Sequence, residues 1–227
     1  MIVTIDGPAG AGKSTVARSV ARRLGVAYLD TGAMYRALTW LALERSISPS
    51  DEPALVALAR DNPIEIESTD DGDRVRVIGR DVTAEIRRPE IAAQVSEVSA
   101  HPGVRTEVVA AQRALLGQGS WVSDGRDVGT VVCPHADLKV FLTASLRERA
   151  RRRRADLGAR GIAMDEATVL DDVRRRDHAD STRAASPLRI AKGAVVIDSS
   201  ELEADAVADL IVSLVNDVRA AAGTPPG

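Results

Sequence analysis

Cysteine is almost absent from this 227-residue chain. The single Cys133 excludes an internal disulfide and any cysteine-built metal cluster. It sits in the apolar stretch Val131-Val132-Cys133 and reads as buried filler rather than a reactive thiol. Aromatic residues make up 2% of the sequence, which leaves little ring surface for stacking on unpaired bases. No apolar run approaches the ~18 residues of a membrane span. The N-terminus opens directly into a strand pattern rather than a secretory signal, so the expectation is a soluble cytoplasmic protein. Lysine is scarce, with Lys13, Lys139 and Lys192 against 27 arginines. One arginine therefore carries little weight here, and Lys13 carries a good deal. His101, His135 and His178 are dispersed without a triad or metal-site spacing, and the net charge of −3 offers no basic field for nucleic acid or an anionic membrane.

What is present begins at residues 7–14, Gly-Pro-Ala-Gly-Ala-Gly-Lys-Ser, a complete G-x-x-x-x-G-K-[ST] signature directly after the apolar run Ile2-Val3-Thr4-Ile5. A strand, a glycine-rich turn and a helix aim several backbone N–H groups at one point, where the helix dipole adds positive potential. Gly7, Pro8, Ala9, Gly10, Ala11, Gly12, Lys13, Ser14 and Thr15 are thus the candidate nucleoside-triphosphate loop. In it Lys13 reaches the β/γ-phosphates and the Ser14 hydroxyl is available to Mg²⁺.

The length suits one α/β domain with insertions or two small domains. Five apolar segments, at 2–6, 26–30, 121–124, 138–143 and 194–198, read as buried strands separated by helical patterns, which argues for a parallel sheet covered on both faces. Helices are expected over 13–24, around Met34, Leu38 and Leu41, over 54–60 with Asp51 or Glu52 near its cap, and from Pro89. His101-Pro102-Gly103 is expected to break that last helix before another over 104–116. Ser145-x-x-Glu148 and Ser200-x-x-Glu203 both read as capping boxes, and 223–227 as a disordered tail. Residues 62–87 depart from this rhythm: the alternating Ile64–Glu67 and Arg74–Val77 runs flank a turn, giving a hairpin that pairs glutamates with arginines on its solvent face. It is either a family marker or a surface decoration.

A P-loop does not by itself name a reaction. Two arginine clusters add to it: Arg147–Arg154, and Arg174–Arg176 followed by Asp177, His178, Asp180 and Arg183, with a glycine-containing joint at 155–163. Such helices can close over a polyphosphate, present a solvated face, or bind RNA. Two further segments fall at strand ends, where ligands bind in open α/β sheets: 30–36 with Arg36, and 124–127 with Arg126. Each is either a binding segment or a buried ion pair.

The segments at 5–13, 29–36, 124–132 and 176–183 together resemble the bacterial cytidylate kinases, nucleoside-monophosphate kinases of the P-loop class, in order and spacing from about residue 2 to 219. The Asp124-Gly125-Arg126-Asp127-Val128-Gly129-Thr130 run with the 62–87 insert is the specific part of that likeness. It implies a three-layer α/β fold with a five-stranded parallel sheet, divided into a core (1–35, 106–148, 171–222), a nucleoside-monophosphate-binding region (36–105) and a short helical lid (149–170). It implies ATP and Mg²⁺ as cofactors, CMP and dCMP as substrates, direct in-line transfer, and a monomer acting without nucleic acid or membrane.

By the same likeness Arg36 and Arg126 grip the CMP phosphate, with Thr31, Tyr35 and Asp124 in that pocket. Ser96, Arg105 and Asp127 meet the cytosine edge, Arg176 and Asp180 hold the ribose, and Arg183 reaches the transferring phosphate. Lys13, Arg126, Arg183, Arg149 and Arg153 form the catalytic set, with Arg149 and Arg153 over ATP. Ser14 or Thr15 gives the Mg²⁺ hydroxyl, and Asp6 either acts on the ion through water or is a structural cap. The alternatives are another small-molecule P-loop kinase, such as a shikimate or thymidylate kinase, and a nucleotide-dependent RNA-binding protein.

Overall fold

The computed structural model describes residues 1–69, 72–159, 161–221 and 223. In chain order it builds β1 (Ile2–Asp6), α1 (Lys13–Leu24), β2 (Ala27–Asp30), α2 (Thr31–Glu44) and α3 (Glu52–Asp61). A small antiparallel sheet follows, β3 (Ile64–Thr69), β4 (Gly72–Val77) and β5 (Arg80–Asp81), then α4 (Pro89–Val98) and α5 (Pro102–Leu116). The rest is β6 (Trp121–Gly125), β7 (Leu138–Thr143), α6 (Leu146–Ala159), α7 (Glu166–Thr182), β8 (Val195–Asp198) and α8 (Ala204–Ala221). The five strands expected from the sequence form one parallel sheet in the order β2-β6-β1-β7-β8. All their carboxyl ends therefore point to one crevice.

Two cores cover the sheet. Val3, Ile5, Val140 and Leu142 pack against Val16 and Val20 of α1 and Val207, Ile211 and Val215 of α8. On the other face Leu29 and Val128 join Met34, Leu38, Leu55, Ile91, Val104 and Leu116 from α2 to α5. Val75, Val77, Val82 and Ile86 belong to this second core, so the insert is built into the molecule and is not a loose decoration. Burying each such aliphatic side chain contributes about 1.5–3 kcal/mol. A third cluster, Ala150, Val169 and Val173, holds α6 to α7 by itself.

Several local expectations change. The last strand is not buried: β8 is a sheet edge, with Val196 52% exposed and only Ile197 inside. Helix α2 starts at Thr31 because the Asp30 carboxylate accepts from the Ala33 N–H at 3.0 Å. Likewise Asp51, not Glu52, caps α3. The expected break between α4 and α5 is present but falls over 99–101, and Pro102 and Gly103 already begin the second helix, since proline fits a first turn whose N–H has no partner anyway. The insert gains a third strand, β5, opposite Arg76 and Val77.

Neither capping box closes. The Ser145 hydroxyl does accept from the Glu148 N–H at 3.3 Å, but the Ser145 N–H goes to Ser200 Oγ at 2.8 Å. The Glu148 carboxylate pairs instead with Arg151 and Arg152. Ser200 is drawn instead to Ser145 and Asp198, and α8 starts four residues later, at Ala204. Helix α6 also runs on to Ala159, which shortens the joint before α7. The expected tail beyond Gly223, the turn residues 70 and 71, and residue 160 of the joint lie outside the described residues. No described helix is long and apolar enough to cross a membrane.

Candidate active site

The loop between β1 and α1 needs its glycines. Gly10 and Gly12 adopt φ of +76° and +84°, a region costly for side-chain-bearing residues. A Cβ on Gly7 would lie 1.9 Å from the Leu142 carbonyl oxygen, so β7 presses the loop from beneath. Ala9, Gly10, Gly12, Lys13, Ser14 and Thr15 form one wall of a cavity of about 320 Å³. Gly7, Pro8 and Ala11 shape the loop from outside that cavity. Buried Lys13 donates to the Pro8 carbonyl at 2.8 Å, and burial followed by the charge of Arg126 lowers its pKa to about 7. A polyphosphate would restore the charge that burial penalises.

Arginines paired with carboxylates form the facing wall. Arg36 meets Asp30 at 2.6 Å, and Arg126 meets Asp180 at 2.6 Å. Although burial opposes its ionisation, Arg126 keeps the Asp180 carboxyl below its ordinary value. Arg105 bonds Asp127, whose other oxygen lies 3.6 Å from Arg183. Burial, then the neighbouring Arg105, lowers the Arg183 pKa. The Arg105 Nε and Arg183 Nη2 groups are buried without hydrogen-bond partners among the described residues. Both residues line the cavity, so these are spare donors at its wall, suited to the acceptors of a nucleotide.

Tyr35 lies under the Arg105 guanidinium, 5.2 Å from it, and Thr31 donates to the Asp124 carbonyl at 2.7 Å. Ser96 of α4 lines the same cavity. Arg176 of α7 reaches across to α4, donating to the Ala92 carbonyl at 3.1 Å while Asp172 holds its Nε at 3.2 Å. All the expected substrate residues thus converge: Thr31, Tyr35, Arg36, Ser96, Arg105, Asp124, Arg126, Asp127, Arg176, Asp180 and Arg183 line this cavity.

Between the walls, Ser14 Oγ donates to Asp124 at 2.9 Å, and the buried Tyr28 hydroxyl takes the other carboxylate oxygen. A hydroxyl and a carboxylate are hard oxygen donors of the kind Mg²⁺ takes while keeping several waters. Asp6 is not in the cavity. Its oxygens accept from the Val128 and Gly129 N–H groups at 2.9 and 2.7 Å, fixing the π-helical turn Val128–Val132. The structural-cap reading of Asp6 therefore has direct support. Arg153 lines the cavity but Arg149 does not: its guanidinium faces the back of the glycine loop. Cys133 is half-buried rather than buried as expected, packed at the edge of the second core, and burial raises its thiol.

The sequence reading gave no role to Asp156 or Asp172 in the lining, nor to Tyr28 behind it, and it held Asp30 only as the head of a segment read as either binding or an ion pair. Asp172 also leaves a trace in the sequence, four residues before Arg176 on one helix.

The family model described as Cytidylate kinase matches residues 3–217. A curated cytidylate kinase of Geobacillus sp. (strain WCH70) is 49% identical over 215 residues, covering 95% of this chain and 96% of that one. Another, of Mycolicibacterium paratuberculosis (strain ATCC BAA-968 / K-10), is 50% identical over 216 residues, with 95% of each chain covered. Among solved structures, an uncharacterized protein from Eubacterium ventriosum ATCC 27560 superposes with a TM-score of 0.54 at 12% identity, covering 95% of this chain and 98% of that one, which is a likeness of fold alone. A nucleotide loop facing a wall of guanidinium groups, and relatives of near half identity along almost the whole length, lead to one conclusion: the chain belongs to the cytidylate kinase family.

Proposed function

We propose that this enzyme transfers the γ-phosphoryl group of ATP to the phosphate of CMP or dCMP, giving CDP or dCDP and ADP. The carrying observation is the shared cavity: the glycine loop and six arginines line it together. Lys13 and the loop amides hold the donor phosphates, while Arg36 and Arg126 hold the acceptor phosphate by charge-assisted bonds. Arg183, with Arg153 from the lid side, neutralises charge on the moving phosphoryl group. The acceptor oxygen is already ionised at neutral pH, so positioning and electrostatics replace a general base. Ser14 with Asp124, rather than exposed Thr15, would hold Mg²⁺, which when bound would supply further neutralisation of phosphate charge.

Asp127 and Arg105 read the base. The cytosine amino group donates to the carboxylate and the ring acceptors receive the guanidinium, whereas uracil would set an oxygen against Asp127. Asp180 and Arg176 take the ribose. The region 36–105 and the lid 149–170 close on the two nucleotides, with the independent α6–α7 cluster allowing the lid to move as a unit. One chain supplies the whole constellation, so the reading requires no second copy, no nucleic acid and no membrane, and it places the enzyme with its substrates in the cytoplasm.

The test is a coupled ADP-release assay with CMP, dCMP, UMP, AMP and shikimate as acceptors. Cytidine nucleotides are expected to exceed the others by at least about tenfold in kcat/KM. Equal rates with UMP or AMP, or a preference for shikimate, would overturn the assignment.

A further inference from the structure

Arg149 stands in a run of arginines on α6, yet its side chain is turned away from the cavity and buried, only 7% of the residue remaining exposed. Its Nε donates to the Ala144 carbonyl at 2.9 Å. One Nη1 donates to the Ala9 carbonyl of the glycine loop at 3.1 Å and to Asp177 at 2.9 Å, and Nη2 meets Asp177 at 2.7 Å. The guanidinium therefore joins the end of β7, the loop and α7. Its neighbours on the helix behave differently: Arg151 is an exposed partner of Glu148, and Arg153 lines the cavity.

In a planar trans peptide the carbonyl and the following N–H point in opposite directions. When the Ala9 carbonyl is drawn outward to Arg149, the Gly10 N–H must face the other way, toward the cavity that Gly10 lines. A glycine at φ +76° has little steric preference of its own for that orientation. The fit is also tight: a Cβ at Gly10 would lie 2.8 Å from the Arg149 carbonyl oxygen. We propose that Arg149 is a positioning residue, which fixes the Ala9–Gly10 peptide so that its N–H is preset for the donor polyphosphate, with Asp177 holding the guanidinium in place. The inference rests on the reading of the loop as the donor site, and it moves Arg149 from the substrate-contacting set to the loop's support. A preset donor forgoes the reorganisation that a free peptide would need on binding.

The test uses the full chain without a second substrate. In Arg149→Met, calorimetric titration should show ADP binding weakened by about tenfold, the scale of one charge-assisted bond, with CMP binding changed less than about twofold. In the nucleotide-free protein the Gly10 amide resonance should shift and its hydrogen exchange should quicken. Asp177→Asn should change both measurements in the same direction by less, and it carries the test alone if Arg149→Met does not fold. Arg151→Met serves as the control and should match the parent. Unchanged ADP affinity would overturn the proposal. So would weakened ADP binding with an unmoved Gly10 resonance in the free protein, because Arg149 would then act on the nucleotide directly. Failure of the cytidine assignment would appear in the acceptor panel instead, leaving the ADP titration readable.

Discussion

The two walls of the cavity are built on opposite plans. The donor wall is one continuous stretch of backbone, shaped by glycines that nothing larger can replace and pressed from below by the Leu142 carbonyl. The acceptor wall is made of side chains that α2, α4, α5, β6 and α7 bring together, and its guanidinium groups are held by carboxylates: Asp30, Asp127, Asp172 and Asp180. One wall is preset by the shape of its backbone, with Arg149 against it from behind, and the other by charge pairing between its own side chains. A phosphate arriving at the acceptor wall exchanges or shares partners with those carboxylates, so specificity and turnover should depend on single side chains there. At the donor wall single changes should act through the shape of the loop.

The comparison breaks most visibly at Arg126. Arg126→Ala is expected to lower kcat/KM for CMP by about 10³-fold or more, while ADP affinity stays within about twofold. Equal losses for both nucleotides would mean that the walls are not separable. The variant should also lose stability with a defined pH signature. Arg126 keeps Asp180 below its ordinary pKa, and such a group stabilises the fold above its unfolded pKa and ceases to as pH falls through its folded value. The deficit should therefore be full at neutral pH and narrow below about pH 4, where carboxylates take up protons. Thermal unfolding across that range measures it.

The same contrast explains what could be read from the sequence. The donor wall is local, so its strand, glycines and lysine stand together in the letters. The sheet was legible because each of its five segments carries an apolar run, while β8, an edge strand, was misjudged as buried from the same apolar pattern. The acceptor wall is non-local. Composition gave 27 arginines, and no spacing separates Arg153 at the cavity from Arg149 behind the loop or Arg151 in solvent. Family likeness selected most of them, and Asp127 and Asp180 with them, but it did not say which carboxylate holds which arginine, because pairs such as Arg126 with Asp180 are set by tertiary packing. The capping boxes failed for a similar reason: Ser200 found the Ser145 N–H across a tertiary contact before it could cap its own helix.

A smaller and more selective effect is expected within the acceptor wall. Asp127 lies between Arg105 and Arg183, with a side chain only 8% exposed. Asp127→Asn keeps the size and replaces an acceptor-only group by one that also donates, so it should tolerate the uracil oxygen. The ratio of kcat/KM for CMP over UMP should fall by about ten- to a hundredfold, mostly through loss with CMP. Unchanged discrimination would remove Asp127 from base recognition. The two buried arginines would also lose their counter-charge, so the variant should be less stable by about 1–3 kcal/mol.

The smallest effect is expected where charges pair outside either wall. In the insert Arg76 stands opposite Glu65 and Asp81, and its guanidinium lies 3.9 Å from Glu67 with both side chains largely in solvent. Pairs of this kind contribute about 0–1 kcal/mol, because water already screens them and ordering two long side chains costs entropy. Arg76→Ala should shift stability by less than about 0.5 kcal/mol and leave kcat/KM for CMP unchanged. The next residue supplies the contrast: Val77 points the other way into the core and is 1% exposed, so Val77→Ala should cost about 2 kcal/mol or more in chemical denaturation. A large loss from Arg76→Ala would give the charged face of the insert a part in the acceptor wall, and the division between paired charge that acts on substrate and paired charge that merely faces water would have to be redrawn.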